Sequence, residues 1–345
     1  MTVDSHSDAT APGKVILLGE HAVVYGRTAL AAAIDRHVTV RIARLRHEER
    51  ASRASARTVP ESLEMDSSSV HPEALEGCAL NDPRLATALA RAADVVGLPP
   101  NGWMATISTD LPLAMGLGSS AALSVALVRA LARVVHRPLD DAAVCAGAFE
   151  IEKIFHGFPS GIDNTVATYG GLIAFTRGAA VRPLPAGRPL PLVVALGGAP
   201  RRTEQTVTAL RRRWEANPAA CEPLFDEIAA LVGSAEQAIA TGDLPTLGAA
   251  MNANQAILQR LEISTAELEH MTDLARAHGA LGAKLTGGGG GGAVICLCDD
   301  GRADLVDTFT RAGWQAFATD IGATQRGAYA ADGTGYVDAH AEPRA

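Results

Sequence analysis

Four short stretches of this chain concentrate residue types that could handle a phosphate. The first is Pro112-Leu-Ala-Met-Gly116-Leu-Gly118-Ser119-Ser120-Ala-Ala, which runs directly into an apolar helical pattern. Glycines let a backbone come close to a ligand. The free N–H groups of a first helical turn, reinforced by the helix dipole, make an anion site. A plain glycine turn with a serine N-cap would use the same residues. A P-loop would need a lysine just before the serine, and Gly118 stands there instead. Gly116-x-Gly118-x-x-Ala121 also fits a relaxed dinucleotide fingerprint, with Asp140 about 20 residues further on. Against that, Pro112 interrupts the preceding strand and the motif lies mid-chain rather than in an opening βαβ unit.

The second stretch is Glu152-Lys-Ile-Phe-His-Gly-Phe-Pro159-Ser160-Gly161-Ile-Asp163-Asn164. Glu150 and Glu152 are about 200° apart around a helix, so only one of them can face inward. A Pro-Ser-Gly turn after the helix stop at His156-Gly157 returns the chain and can present Asp163 beside the same cleft. Two carboxylates from one such unit suit a division between a metal and a reacting hydroxyl. A surface helix with a capping Asp fits the spacing equally well. The third stretch is Lys284-Leu-Thr286 followed by Gly287 to Gly292. These six glycines sit between a helix end and an apolar strand, where a loop with unusual backbone angles fits better than a flexible linker. The fourth is Ala11-Pro12-Gly13-Lys14 with Gly19-Glu20-His21 beyond it. Lys14 is read as the first residue of a buried strand, with its ammonium at the sheet rim. A surface lysine and a locally satisfied histidine are the ordinary alternatives.

The elements that must position these groups follow from hydrophobic period and turn residues. KVILL (14–18) and HVTVRIARL (37–45) read as strands, PRLATALARAADVVG as a helix and WMATISTDLP as extended. Residues 119–135 are apolar nearly all round, the mark of a buried helix. A further helix is expected from about Asp140 to Phe155, strands in YGGLIAF, PLVVALG and AVICLC, and helices over roughly 203–279. VRPLPAGRPLP, with four prolines, is the linker candidate. Residues 44–82, basic and then acidic, read as a solvated hairpin or loop. Strands and helices mix without strict alternation, so the fold class is α+β in two domains.

Composition narrows the function classes. The chain has 345 residues, 48% hydrophobic and 20% charged, enough for a sizeable core and unlike a disordered or fibrous sequence. A net charge of −8 argues against nucleic acid or an anionic membrane held by bulk charge. No apolar run has the ~18 residues of a membrane helix, and the polar opening MTVDSHSDAT has no secretory layout. A cytoplasmic protein is expected. Cys78, Cys145, Cys221, Cys296 and Cys298 read as buried free thiols, with Cys296 and Cys298 on one strand face.

In this order the four stretches resemble the GHMP kinase superfamily, and within it the mevalonate kinases. PGKVILLGEHAVVYG, PLAMGLGSSAA and KLTGGGGGG correspond to the three family motifs. GEHAVVYG and E-x-x-x-HG-x-PSG-x-DN separate the mevalonate kinases from galactokinases, homoserine kinases and phosphomevalonate kinases. Met115, Gly288 and Ala293 depart from the residues usual at their positions. The resemblance implies a two-domain fold: a ribosomal-protein-S5-like N-terminal domain (1–187) and a ferredoxin-like C-terminal domain (188–345). The last strands are free to return to the first domain, and the active site is expected in the cleft between the two.

It also implies roles. Pro112, Gly116, Leu117, Gly118, Ser119 and Ser120 would wrap the phosphates of ATP, the co-substrate, and Ser120 and Glu152 would hold Mg²⁺. Asp163 would accept or orient the proton of the mevalonate hydroxyl, with Lys14 beside it as its cation and as a contact for the transferring phosphoryl. Glu20, His21, Thr203 and Gly288 would surround the mevalonate. The expected partners are ATP and mevalonate, with no nucleic acid and no membrane. A homodimer is compatible with the family, and the sequence itself is silent on it.

Overall fold

The computed structural model of the chain describes residues 6–44, 63–65, 82–156, 159–198 and 203–322. They fall into two compact units. The first comprises Met1–Gly13, Arg36–Leu113 and Gly118–Tyr169, and the second Lys14–Asp35, Ala114–Leu117 and Gly170–Ala345. Two long strands, β1 (His6–Leu18) and β2 (Ala29–Arg44), pair with each other and contribute residues to both units.

In the first unit, β2 runs antiparallel to β4 (Trp103–Thr109), with Val38 opposite Thr109 and Arg44 opposite Trp103. A short β3 (Leu63–Met65) adds parallel to β4. The rest of 44–82 expected as a loop lies outside the described residues, apart from Arg44 and Asp82, as does Cys78. Four helices complete the unit: α1 (Pro83–Val96), α2 (Ser119–Val134), α3 (Asp141–His156) and α4 (Ile162–Tyr169). α2 packs against the other three.

The all-round apolar reading of α2 holds, with Val125, Val128 and Leu131 fully buried and Leu127 nearly so. No side chain caps its N-terminus at Gly118. An N-cap contributes about 1 kcal/mol, whereas each buried Leu or Val contributes roughly 1.5–3 kcal/mol. Packing therefore holds α2 and leaves its first turn available for a ligand.

The second unit pairs the first residues of β2 with β5 (Leu172–Phe175), which β6 (Arg182–Pro183) extends. It also holds an antiparallel sheet of order β10-β7-β9-β8, built from β7 (Leu190–Leu196), β8 (Gly282–Thr286), β9 (Ala293–Leu297) and β10 (Gln315–Ile321). Helices α5 (Thr203–Ala216), α6 (Pro218–Thr241), α7 (Leu244–Arg260), α8 (Ala266–Ala277) and α9 (Arg302–Arg311) belong here too. Val193, Ala195, Phe225, Leu258, Met271, Leu285, Val294 and Phe309 form its apolar centre.

Three expectations are corrected. β1 begins at His6, so Lys14 is inside the strand rather than first in it, and it is buried. The segment after Pro-Ser-Gly continues as helix α4 instead of a bare turn. The proline-rich linker candidate carries β6, its Pro183 opposite Ile173 at a sheet edge, where a missing N–H is tolerated. Cys145, Cys221, Cys296 and Cys298 are buried thiols, and burial raises the Cys298 thiol to about 11, away from the reactive thiolate. Among the described residues no helix is long and apolar enough to cross a membrane.

Candidate active site

The first unit gathers one group of the expected residues. Gly118, at φ 77°, precedes Ser119 and Ser120 in the first turn of α2, and the Ala122 N–H already closes back on the Gly118 carbonyl at 2.9 Å. Behind this turn lies α3. Glu152 points inward from it and is 1% exposed, whereas Glu150 lies at the surface against Lys153 and Arg91. The two-residue spacing thus sorts the carboxylates as the helical period requires. Ser120 Oγ donates to Glu152 Oε2 at 3.2 Å. Ser124, one turn on, donates to the Ser120 carbonyl at 2.8 Å and to Glu152 Oε1 at 3.3 Å.

A buried carboxylate joined to a hydroxyl is a pair of hard oxygen donors. Such donors suit Mg²⁺, which takes one or two protein oxygens and fills its shell with water and phosphate. The residues present therefore fit the expected ion. His156 Nε2 lies 2.9 Å from Ser120 Oγ and 3.8 Å from Glu152 Oε2. Sequence reading took His156 as a helix stop within the E-x-x-x-HG motif and gave neither it nor Ser124 a role at the site. The i, i+4 spacings Glu152–His156 and Ser120–Ser124 were the signals that could have found them.

Asp163 stands in the first turn of α4, where a carboxylate complements the helix dipole. Its neighbour Asn164 is buried and donates through Nδ2 to the Cys145 carbonyl at 3.1 Å and to Cys145 Sγ at 3.2 Å. Thr165 Oγ1 donates to the Gly161 carbonyl at 2.6 Å. Asn164 therefore fastens the helix carrying Asp163 to the helix carrying Glu152. Pro112 lies in the turn after β4, where the Leu111 N–H donates to Thr109 Oγ1 at 2.9 Å.

The second unit gathers the others. The backbone N–H of Lys14 donates to the carbonyl of Leu117 at 2.8 Å, so β1 holds the Gly116–Leu117 end of the glycine loop expected to meet phosphate. The Ile16 N–H donates to Thr286 Oγ1 at 2.8 Å, and that hydroxyl donates back to the Ile16 carbonyl at 3.2 Å. His21 Nε2–H donates to the Gly288 carbonyl at 3.1 Å. Glu20 is buried and pairs with Lys284, while Asn254 Nδ2 donates to Glu20 Oε2 at 3.3 Å. Sequence reading quoted Lys284 within its motif without a role; a lysine on an otherwise apolar strand was the available signal. The six-glycine run is ordered. The Gly290 N–H donates to the Ile263 carbonyl at 2.9 Å, and Gly289 has φ 68° with a Cβ position that would run into Ile263. Thr203 opens α5, and residues 199–202 before it lie outside the described residues.

Two expected results follow from these positions. Gly118→Val places a β-branched residue at a positive φ, which L side chains resist, and puts bulk at the mouth of the α2 N-terminus. ATP binding measured by calorimetry should be lost. A wild-type Kd would show that the loop does not cradle the phosphates.

The second concerns His21, whose pKa burial lowers to about 4, the hydrogen bond to Gly288 opposing in part. A folded-state pKa below the unfolded value of 6.5 means that the unfolded chain binds the proton first. His21 then contributes stability that is complete above pH 6.5 and is lost as pH falls towards 4. The loss amounts to about 3 kcal/mol at most. Chemical denaturation across that window should give a shallower slope for His21→Gln than for the wild type; equal slopes would remove His21 as the cause.

The family model described as "GHMP kinases N terminal domain" matches residues 84–171, and that described as "GHMP kinases C terminal" matches residues 223–309. A mevalonate kinase of Thermococcus onnurineus is 34% identical, over 91% of this chain and 95% of its own. One from Methanothermobacter thermautotrophicus is also 34% identical, over 91% and 97%. The crystal structure of L. major mevalonate kinase in complex with R-mevalonate superposes with a TM-score of 0.80 at 30% identity, covering 93% of this chain and 98% of that one.

Proposed function

Since the chain belongs to the GHMP kinases, in the branch formed by the mevalonate kinases, we propose that it transfers the γ-phosphoryl group of ATP to the C5 hydroxyl of (R)-mevalonate, a step of isoprenoid biosynthesis. The observation that carries this reading is the buried Glu152 carboxylate bonded to Ser120 at the open N-terminus of α2. Buried carboxylates are held only where a cation or donors meet them. Here the donors are Ser120, where a phosphate-type loop enters α2, and Ser124 one turn further on.

Phosphoryl transfer depends on in-line placement and neutralised charge more than on covalent help. The first-turn N–H groups of α2, Gly118 to Ala121, would receive the β- and γ-phosphates. Ser120 and Glu152 would hold Mg²⁺, with Ser124 fixing the second Glu152 oxygen. When bound, the ion supplies positive charge to the phosphate oxygens. Asp163 would orient the acceptor hydroxyl and take its proton late in a loose transition state. Lys14 would supply a fixed cation to the transferring group. His21, Thr203 and Gly288 would meet the mevalonate, with Glu20 behind them.

The test is an ADP-release assay with Mg²⁺-ATP on mevalonate, galactose, homoserine and phosphomevalonate, with phosphorus NMR of the product. Turnover on mevalonate giving a 5-phosphate ester is the expected result. A 3-phosphate would relocate the acceptor hydroxyl, and turnover only on another acceptor would overturn the substrate.

A further inference from the structure

Lys284 and Glu20 are both fully buried, and burial pushes each towards its neutral form: the lysine pKa falls and the glutamate pKa rises, each opposed by the partner's charge. Lys284 Nζ also donates to the Leu285 carbonyl at 2.6 Å, and Asn254 completes the shell of Glu20. Burying two ions is unfavourable unless their geometry serves another end. The end is visible in the register of β8. Side chains alternate along a strand, so Lys284 and Thr286 share a face. Lys284 holds Glu20, Thr286 clasps Ile16 at both its N–H and its carbonyl, and Gly288, two residues further on, receives His21. Three alternate positions of the third motif thus grip one stretch of the first. Within that stretch His21 has φ 60° and ψ −47°, a backbone state that persists only where its surroundings enforce it.

The acceptor of the reaction proposed above is itself a carboxylate, and an uncompensated Glu20 anion beside His21 would repel it. We propose that Lys284 is a positioning residue for the acceptor side: by neutralising Glu20 it fixes the Glu20–His21 turn in the pose that receives the substrate, and Glu20 acts through Lys284 rather than as an anion facing the acceptor. This rests on the phosphotransferase reading.

A double-mutant cycle on the full chain tests it, with Lys284→Met, Glu20→Gln and the double variant assayed for kcat and for the KM of each substrate. Lys284→Met removes the cation paired directly with the buried Glu20 carboxyl, with only the charge of Lys14 still acting on it among the cations that shift Glu20. It should raise the mevalonate KM at least about tenfold while the ATP KM stays within about twofold. Adding Glu20→Gln removes the orphaned charge and should recover at least about threefold of that loss. Unchanged mevalonate KM in Lys284→Met overturns the proposal, as does a double variant no better than the single.

If Lys284→Met does not fold, the uncharged double variant decides. A native melting curve with a mevalonate KM raised less than about thirtyfold supports the proposal, and a larger rise, which would mean that substrate needs the Glu20 carboxylate itself, overturns it. The wild-type assay separates this from the functional reading: if the wild type phosphorylates a different acceptor, that reading fails and the same cycle is run on the acceptor it does use.

Discussion

Asp163→Ala should lower kcat by about 10²–10⁴-fold, the range general acid–base groups contribute, with the KM of ATP little changed. The carboxylate is half-buried in the first turn of α4, where removing it sacrifices a helix-dipole interaction of about 0.3–1 kcal/mol. The protein should therefore melt close to the wild type. What holds α4 in place is next door: Asn164 on Cys145 and Thr165 on the Gly161 carbonyl. Asp163→Asn sharpens the test, since it keeps the shape and abolishes the base. Steady-state kinetics at saturating ATP and mevalonate, alongside a thermal melt, measure both quantities. Turnover within a few-fold of wild type in either variant would remove Asp163 from the chemistry.

Glu152→Gln should separate activity from stability in opposite directions. The side chain is 1% exposed and meets Ser120, Ser124 and His156. Glutamine keeps its volume and an oxygen for the serine hydroxyls but discards a charge that is unfavourable to bury. In chelator the variant should melt no lower than the wild type. Its kcat should fall by orders of magnitude and the Mg²⁺ concentration giving half-maximal rate should rise, because the proposed Mg²⁺ site would lose its carboxylate. Titration of activity with Mg²⁺ and melting in EDTA together check this. Near wild-type turnover at low Mg²⁺ would sink the assignment, and a large drop in melting temperature would recast Glu152 as structural. Stability held in reserve at a ligand site is a common exchange for activity.

What the sequence made legible follows the physics of each signal. An all-round apolar pattern has one resolution in a protein of this size, so α2 and its burial could be read directly. That only one of Glu150 and Glu152 faces inward followed from the helical period; that it is Glu152 came from the resemblance, and the structure buries Glu152. Glycine-Leu-Glycine-Ser-Ser and the six-glycine run marked places where backbone must approach something, and both are ordered turns with positive φ in the structure.

The failures are equally specific. α4 is eight residues long and follows Pro-Ser-Gly, so its turn residues outweighed its short helical period. The start of β1 was missed because HSDATAPG looks polar and broken; the strand there is exposed at alternate residues up to Thr10 and continuously buried only from Gly13. Ser124 and Lys284 each carried a local signal, but the identity of their partners, 28 and 264 residues away, is set by packing that no local pattern encodes.

The grip of β8 on β1 also bears on how the chain is made. Ile16 meets Thr286 across 270 residues of sequence, Glu20 meets Lys284 across 264 and His21 meets Gly288 across 267. On a ribosome adding about 5–20 residues per second, the Lys14–Leu18 strand emerges some tens of seconds before the residues that fasten it. During that interval an apolar run paired with β2 stands without the β8 side of its native surroundings, which is the kind of segment that chaperones bind and that aggregates when they are scarce. Expression yield should therefore respond to translation speed and chaperone supply more than the stability of the finished protein would suggest.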